Sequence, residues 1–310
     1  MIHTVVRSGV LYLWGMKVLI TGVNGFIGQH WVRALHRIGA EVVATGRGNE
    51  RFPSALRSRY YDLDITDGGA VQSLLTAERP TAILHAAAIS KPDVCVQDTA
   101  QADLVNITGT QHLLKAAESL GCYCCFLSTD FVFDGEKGMY TETDEPAPIN
   151  YYGLTKWRAE QMVQLYAHGW SIVRTVTVYG QPVEGRPNIL STVVDKLQRG
   201  EVYTVFDDQV RTPTYAGDLA WGVAKLIQGS HPGIFHLSGE EILTPYQMAI
   251  RTAEYLGLDP SLLTRVTAET FQQPAKRPLR TGFVVEKAQK TIGYAPCSFD
   301  KGLRLSFPRP

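Results

Sequence analysis

The chain has 310 residues, 45% of them hydrophobic, enough for one large or two modest domains with a substantial core. Thirty basic and thirty acidic residues cancel, leaving no footprint for a nucleic-acid partner or an anionic membrane, and no apolar run approaches the roughly 18 residues that would span a bilayer. Five cysteines, three of them crowded at Cys122, Cys124 and Cys125, make a poor disulfide framework and point to a reducing, cytoplasmic setting.

Residues 1–15, "MIHTVVRSGVLYLWG", precede a natural-looking start at Met16. Their apolar stretch is short and broken by Arg7, a weak signal-peptide candidate. The expectation is an extension that adds little to the fold, with a short added strand or a partner contact as the alternative. From Met16 the pattern alternates. "KVLITG" is a buried-strand run, "GFIGQHWVRALHRIGA" follows at helical spacing, and "EVVATG" and "TAILHAAA" are strands again. A long helical stretch over about 102–120 precedes "CYCCFLSTD" and "SIVRTVTVYG". Nearly continuous apolar strands separated by helices predict a parallel sheet covered on both faces. The fold class expected is therefore α/β: a Rossmann-type, doubly wound parallel sheet over residues 16–180. After Gly180 prolines at 182, 187, 213, 232, 245, 260, 274 and 278 break the chain into shorter pieces. Residues 181–310 read as a smaller C-terminal substrate-binding lobe, with helices near 189–199, 215–228 and 245–257 and with "GIFHLSG" returning a strand to the main sheet.

Between the first strand and its helix lies "TGVNGFIG". Gly22 suits a tight turn, Gly25 lets backbone approach a pyrophosphate, and Gly28 permits close helix–strand packing, with Asn24, Phe26 and Ile27 completing the loop. A helix N-terminus offers unpaired N–H groups and partial positive charge to phosphates, so the loop is a cofactor site. The end of the second strand, Ala44-Thr45-Gly46-Arg47, lacks the acid that would hold the ribose 2′-OH of NAD. Arg47 instead suits a 2′-phosphate, so NADP(H) is preferred and NAD(H) remains open. Asp64, just after a short strand, can accept from the adenine amino group, with the Ile65 backbone assisting.

"NYYGLTK" holds two tyrosines and a lysine. Residues four apart share a helix face, which pairs Tyr152 with Lys156 and sets Tyr151 opposite Thr155. An ammonium near a phenol favours phenolate and lowers its pKa, which would let Tyr152 give a proton to a ketone oxygen as hydride reaches the carbon. Lys156 could also hold the nicotinamide ribose. Ser128, Thr129 and Asp130 of "LSTDFVFDG" follow the fifth strand at the carboxyl edge where ligands bind in such sheets, and a hydroxyl there can orient a substrate carbonyl.

Together these residues resemble the extended short-chain dehydrogenase/reductase superfamily and, more narrowly, the dTDP-4-dehydrorhamnose reductase family. The resemblance rests on "TGVNGFIG", "HAAAIS", "VNITGT", "STDFVFDGEKGMYTETDEPAPINYYGLTK", "RTPTYAGDLA" and "KRPLRTGFVVEKAQKTIGY" and covers nearly all of residues 16–305. It implies reduction of the 4-keto group of a nucleotide-activated 6-deoxyhexose by NADPH or NADH, with the family's catalytic residues falling on Thr129, Tyr152 and Lys156. It also implies that Ala86, Ala87 and Ala88 line the cofactor, that Thr129 and Asp130 meet the substrate, and that Asn106 braces the central helices. Arg211 departs from the family, which usually has Gly there. Seven residues before Asp218, it resembles the arginine of nucleotide-sugar epimerases and dehydratases, where it can clamp a diphosphate. A nucleotide-sugar epimerase or dehydratase is thus one alternative. Another is an NADP-binding regulatory protein, because the same block resembles the regulatory subunit of methionine adenosyltransferase. The oligomeric state is open, a homodimer included.

Cys122, Cys124 and Cys125 invite a metal reading, but strand alternation splits them between two faces and no paired Cys or His accompanies them at zinc spacing. His85 reads as a satisfied core residue, and the basic "RFPSALRSR" (51–59) as a solvated face near the cofactor phosphate.

Overall fold

The computed structural model describes residues 15–51, 58–181 and 187–308, together with the backbone of two short strands, Thr4–Arg7 and Val10–Leu13. Those two strands pair antiparallel with each other in a sheet of their own. Neither of them joins the main sheet. The basic stretch at 51–59 falls largely outside the described residues.

Seven parallel strands build the core: β1 (Lys17–Thr21), β2 (Glu41–Gly46), β3 (Arg59–Asp62), β4 (Ala82–His85), β5 (Tyr123–Thr129), β6 (Trp170–Thr175) and β7 (Gly233–His236). Their order is β7-β6-β5-β4-β1-β2-β3, so the strand order reverses between β1 and β4. The strands inside the sheet are largely apolar on both faces, as a doubly covered sheet requires, whereas the edge strand β3, Arg-Tyr-Tyr-Asp, is not. Val18, Ile20, Val42 and Ala44 face one layer, where they meet Trp31 and Leu35 of helix Gly28–Arg37 and Leu219 and Val223 of helix Ala216–Gly229. Leu19, Val43, Ile83 and Phe126 face the other, against Leu75 of helix Gly68–Glu78, Leu113 of helix Gly109–Glu118 and Val163 of helix Tyr151–Gln164. Each such fully buried aliphatic side chain contributes roughly 1.5–3 kcal/mol. Cys122 and Cys124 lie in the second layer and Cys125 in the first, all three free and buried.

The helical stretch expected over about 102–120 is interrupted. An α-helical turn at Thr99–Asp103 widens to a π-turn at Leu104–Thr108 before helix Gly109–Glu118. The side chain of Asn106 in that turn accepts from Ile89 N (2.8 Å) and donates to Ile89 O (3.1 Å) and Thr155 Oγ1 (3.0 Å). It ties the β4 loop to the helix that carries the tyrosine pair.

In the second half of the chain, helices Ile189–Gln198 and Pro245–Leu256 pack together, and strand Tyr203–Phe206 pairs in parallel with Leu263–Val266. Val210–Arg211 pairs with Arg280–Thr281. Strand β7 joins β6 at the sheet edge, with Phe235 opposite Val173. Among the described residues no helix is long and apolar enough to cross a membrane.

Candidate active site

The groove over the carboxyl ends of β1 and β4 is built on close backbone contacts. Gly22 has φ of 74°, and a Cβ there would lie 2.7 Å from Ala87 Cα. Only glycine allows both the turn and the approach of the β4 loop. A Cβ on Gly28 would fall 1.5 Å from Val23 O, which fixes the helix start against β1. Thr21 Oγ1 accepts from Ala86 N and Ala87 N, both at 3.2 Å. It also bonds His85 Nδ1 at 2.8 Å, and His85 Nε2 reaches Thr110 Oγ1 at 2.9 Å. Thr110 donates onward to Asn106 O, so a single tautomer, protonated on Nε2, satisfies the chain of bonds. Burial, aided by the Lys156 charge, pushes His85 down to about 3 and keeps it neutral, a structural residue as its sequence context suggests.

Gly25 is exposed, Phe26 and Ile27 are half-buried, and the first turn of helix Gly28–Arg37 carries no acid. An anion meets no repulsion there. Asn24 points the other way. Its Nδ2 donates to Arg47 O (3.1 Å), Asn49 O (3.0 Å) and Tyr60 Oη (2.9 Å), and its Oδ1 accepts from Arg51 N (3.0 Å). Its side chain thus shapes the loop that presents Arg47. Arg47 is exposed, with Nη1 3.9 Å from Asp64 Oδ2, while Asp64 Oδ1 accepts from Thr66 N and Oγ1. Ile65 is buried and its carbonyl accepts from His112 Nδ1 (3.1 Å). Ala86, Ala87 and Ala88 are half-buried along the same groove.

Asn150 caps helix Tyr151–Gln164, accepting from Gly153 N at 2.9 Å. A Cβ on Gly153 would lie 2.0 Å from Phe131 O, so this glycine lets the helix start rest on the backbone after β5. The quoted motif contained Gly153, and a glycine inside a helical pattern is a usable signal of such contact. The consequence is placement. Tyr152 lies edge-on to Phe131 and within hydrogen-bonding reach of the Thr129 hydroxyl. Tyr151 instead donates to Asp103 Oδ2 (2.9 Å), away from the groove. Lys156 is buried, with Nζ 3.9 Å from the centre of the Phe126 ring, and it donates no hydrogen bond to any described residue. Its partners in the fold are the Phe126 ring and the charge of Glu160. The Ser128 hydroxyl is buried and without a partner among the described residues.

The electrostatics differ from the simple expectation. Burial dominates both members of the pair: it pushes the Tyr152 phenol above its ordinary value, opposed by the Thr129 hydrogen bond, and pushes Lys156 down to about 7, opposed by Glu160. Lys156 does not draw the phenol below 10 in this arrangement. At neutral pH Tyr152 keeps its proton, which is the state a proton donor needs.

Asp130 and Arg211 are placed differently from the open substrate contacts expected of them. Both are about nine-tenths or more removed from solvent. Asp130 Oδ1 accepts from Thr129 Oγ1 (3.1 Å), and Oδ2 accepts from Thr281 Oγ1. Arg211 Nη1 donates to Val210 O (2.9 Å) and Leu279 O (3.2 Å), and Nη2 donates to Pro278 O (2.7 Å) and Gln209 Oε1 (3.4 Å). Its Nε faces Asp130 Oδ2 at 3.9 Å. A guanidinium whose donors are committed to carbonyls braces the protein rather than awaiting a diphosphate.

Comparison with known proteins shows the family of the chain. The family model described as RmlD substrate binding domain matches residues 16–309. The dTDP-4-dehydrorhamnose reductase of Streptomyces griseus is 33% identical over 298 residues, 94% of this chain and 92% of that protein. Methionine adenosyltransferase 2 subunit beta of Xenopus tropicalis is 31% identical over 261 residues, 82% of this chain and 76% of that protein. The crystal structure of dTDP-4-dehydrorhamnose reductase from Bacillus anthracis in complex with NADP superposes with a TM-score of 0.83 at 29% identity, covering 94% of this chain and 98% of that one.

Proposed function

Because the chain belongs to the RmlD substrate-binding-domain family of extended short-chain dehydrogenases/reductases, we propose that it reduces the 4-keto group of a nucleotide-activated 6-deoxyhexose, as its dTDP-4-dehydrorhamnose reductase relatives are named for doing. The observation that carries this reading is the convergence of Thr129, Tyr152 and Lys156 beside the groove where the strand order reverses. Bound NADPH would supply hydride to the ketone carbon. The Thr129 hydroxyl, turning its one proton from Asp130 to the ketone, and the Tyr152 phenol hold the ketone oxygen, and Tyr152 gives it the proton. Lys156 binds the nicotinamide ribose and supplies positive charge below the phenol as phenolate develops. Arg47, exposed at the end of β2, selects NADPH over NADH through the 2′-phosphate. Asp64 and Ile65 flank the adenine, and Ala86, Ala87 and Ala88 support the cofactor along β4.

The test is direct. Purified protein is mixed with NADPH and dTDP-4-keto-6-deoxyhexose, and nicotinamide absorbance is followed. Stoichiometric oxidation supports the reductase. Tight NADP binding with no oxidation by any nucleotide ketosugar would favour a regulatory binder, the reading raised by the methionine adenosyltransferase subunit relative. Sugar conversion without net NADPH consumption would indicate an epimerase.

A further inference from the structure

Residues 275–281 cross from the second half of the chain to the mouth of the groove and are held at each end. At the start stands Asp93, on helix Pro92–Gln97 after β4. Its Oδ1 accepts from Ala275 N (3.0 Å) and Arg277 Nη1 (2.5 Å), and its Oδ2 from Arg277 Nη2 (2.7 Å). This is a bidentate ion pair between residues 184 apart in sequence, the fork geometry that fixes orientation as well as distance. Next, Asn150, the cap of the helix that carries Tyr152, donates to Lys276 O at 2.9 Å. The carbonyls of Pro278 and Leu279 then take the Arg211 guanidinium. A Cβ on Gly135 would lie 2.5 Å from Pro278 Cβ, so the segment lies flat on the loop after β5, where Arg280 N donates to Gly135 O at 3.0 Å. At the end Thr281 donates to Asp130, whose other oxygen accepts from Thr129.

We propose that Asp93 and Arg277 form a latch between the two halves of the molecule, and that its closure positions the Thr129 hydroxyl through residues 275–281, Arg211 and Asp130. The inference rests on the reading that Thr129 orients the ketone. Each link is a contact already given: Asp93 to Arg277, the following carbonyls to Arg211, Thr281 and Arg211 to Asp130, Asp130 to Thr129. Asp130 holds the one proton of the Thr129 hydroxyl until a ketone replaces it, and that carboxylate keeps its place beside Thr129 only while Thr281 and Arg211 stay seated. With the latch open, residues 275–281 lose their anchor on the β4 side, and Asp130 is freed to turn. Asp93 and Arg277 are positioning residues here, not catalytic ones.

Two measurements on the full chain test this. Hydrogen exchange at Arg280 N, whose bond to Gly135 O is remote from Asp93, reads the segment with no substrate present. In Asp93→Ala and Arg277→Ala it should rise about tenfold or more. Steady-state kinetics should show kcat down about tenfold in each single variant, KM for the ketosugar within about twofold, and the double variant no worse than either single one. Asp93→Asn and Arg277→Lys, less disruptive to folding, should fall between wild type and the alanine variants. Unchanged exchange at Arg280, multiplying losses in the double variant, or a raised KM with kcat intact in Arg277→Ala would each overturn the latch, the last by making Arg277 a substrate contact. A wild-type chain that turned over no ketosugar would instead sink the functional reading, and exchange alone would then judge the latch.

Discussion

Replacing Lys156 by Met should make the protein more stable and inactive. The lysine is 3% exposed, lies over the Phe126 ring, and is pushed by burial from 10.5 to about 7. A drop of that size corresponds to about 5 kcal/mol spent on keeping the ammonium in the fold. Loss of the contact with Phe126 returns about 0.5–2 kcal/mol, so a net gain of about 2–4 kcal/mol is expected for the variant near pH 7. The pH dependence has a definite sign. Below about 7 both folded and unfolded chains carry the ammonium, and the folded one bears the whole penalty. Between about 7 and the ordinary lysine value the unfolded chain keeps its proton while the folded one gives it up, so wild-type stability rises with pH and the variant's advantage fades. Urea unfolding of both proteins at about pH 7 and about pH 9.5 measures this. A variant less stable than wild type at the lower pH, or an advantage that grows with pH, would refute the reasoning.

Tyr152→Phe should cut turnover by about two to four orders of magnitude while leaving NADPH affinity, read by fluorescence titration, unchanged; full activity would remove the phenol from the mechanism. Arg47→Ala should raise KM for NADPH about tenfold and leave that for NADH alone, whereas equal effects on both would make Arg47 a solvated loop charge. Gly22→Ala places a Cβ 2.7 Å from Ala87 Cα at a φ of 74°, where a side chain costs about 1–2 kcal/mol before the clash. It should lower the melting temperature and abolish nucleotide binding, and retained wild-type affinity would contradict the close approach.

The strand–helix alternation from Met16 and the placing of Tyr152 and Lys156 on one helix face were legible because both rest on local pattern: short continuous apolar runs for the strands, a period of about 3.6 for the helices. Gly22 and Gly28 were legible as glycines of a phosphate loop, but what each one touches, Ala87 and Val23, depends on how β1, β4 and the first helix pack. The fate of Arg211 was not legible. Its partners are mainly backbone carbonyls of Val210, Pro278 and Leu279, and carbonyls carry no side-chain signature. Likewise nothing near Asp93 in sequence announces Arg277. The depressed phenol expected from a neighbouring ammonium also failed, because spacing reports proximity and says nothing of how much water the fold removes from both groups.

The return of the chain to the sheet as β7 means the nucleotide half is not an autonomous piece. Ending translation after Gly180 would strip β6 of its neighbour along Ser171–Arg174 and lay bare the apolar side of helix Gly28–Arg37 that Ala216–Gly229 shields. An unpaired edge beside an uncovered greasy surface recruits other chains. Such a fragment would be prone to aggregate, and the sheet is complete only once residues well beyond Gly180 have joined it.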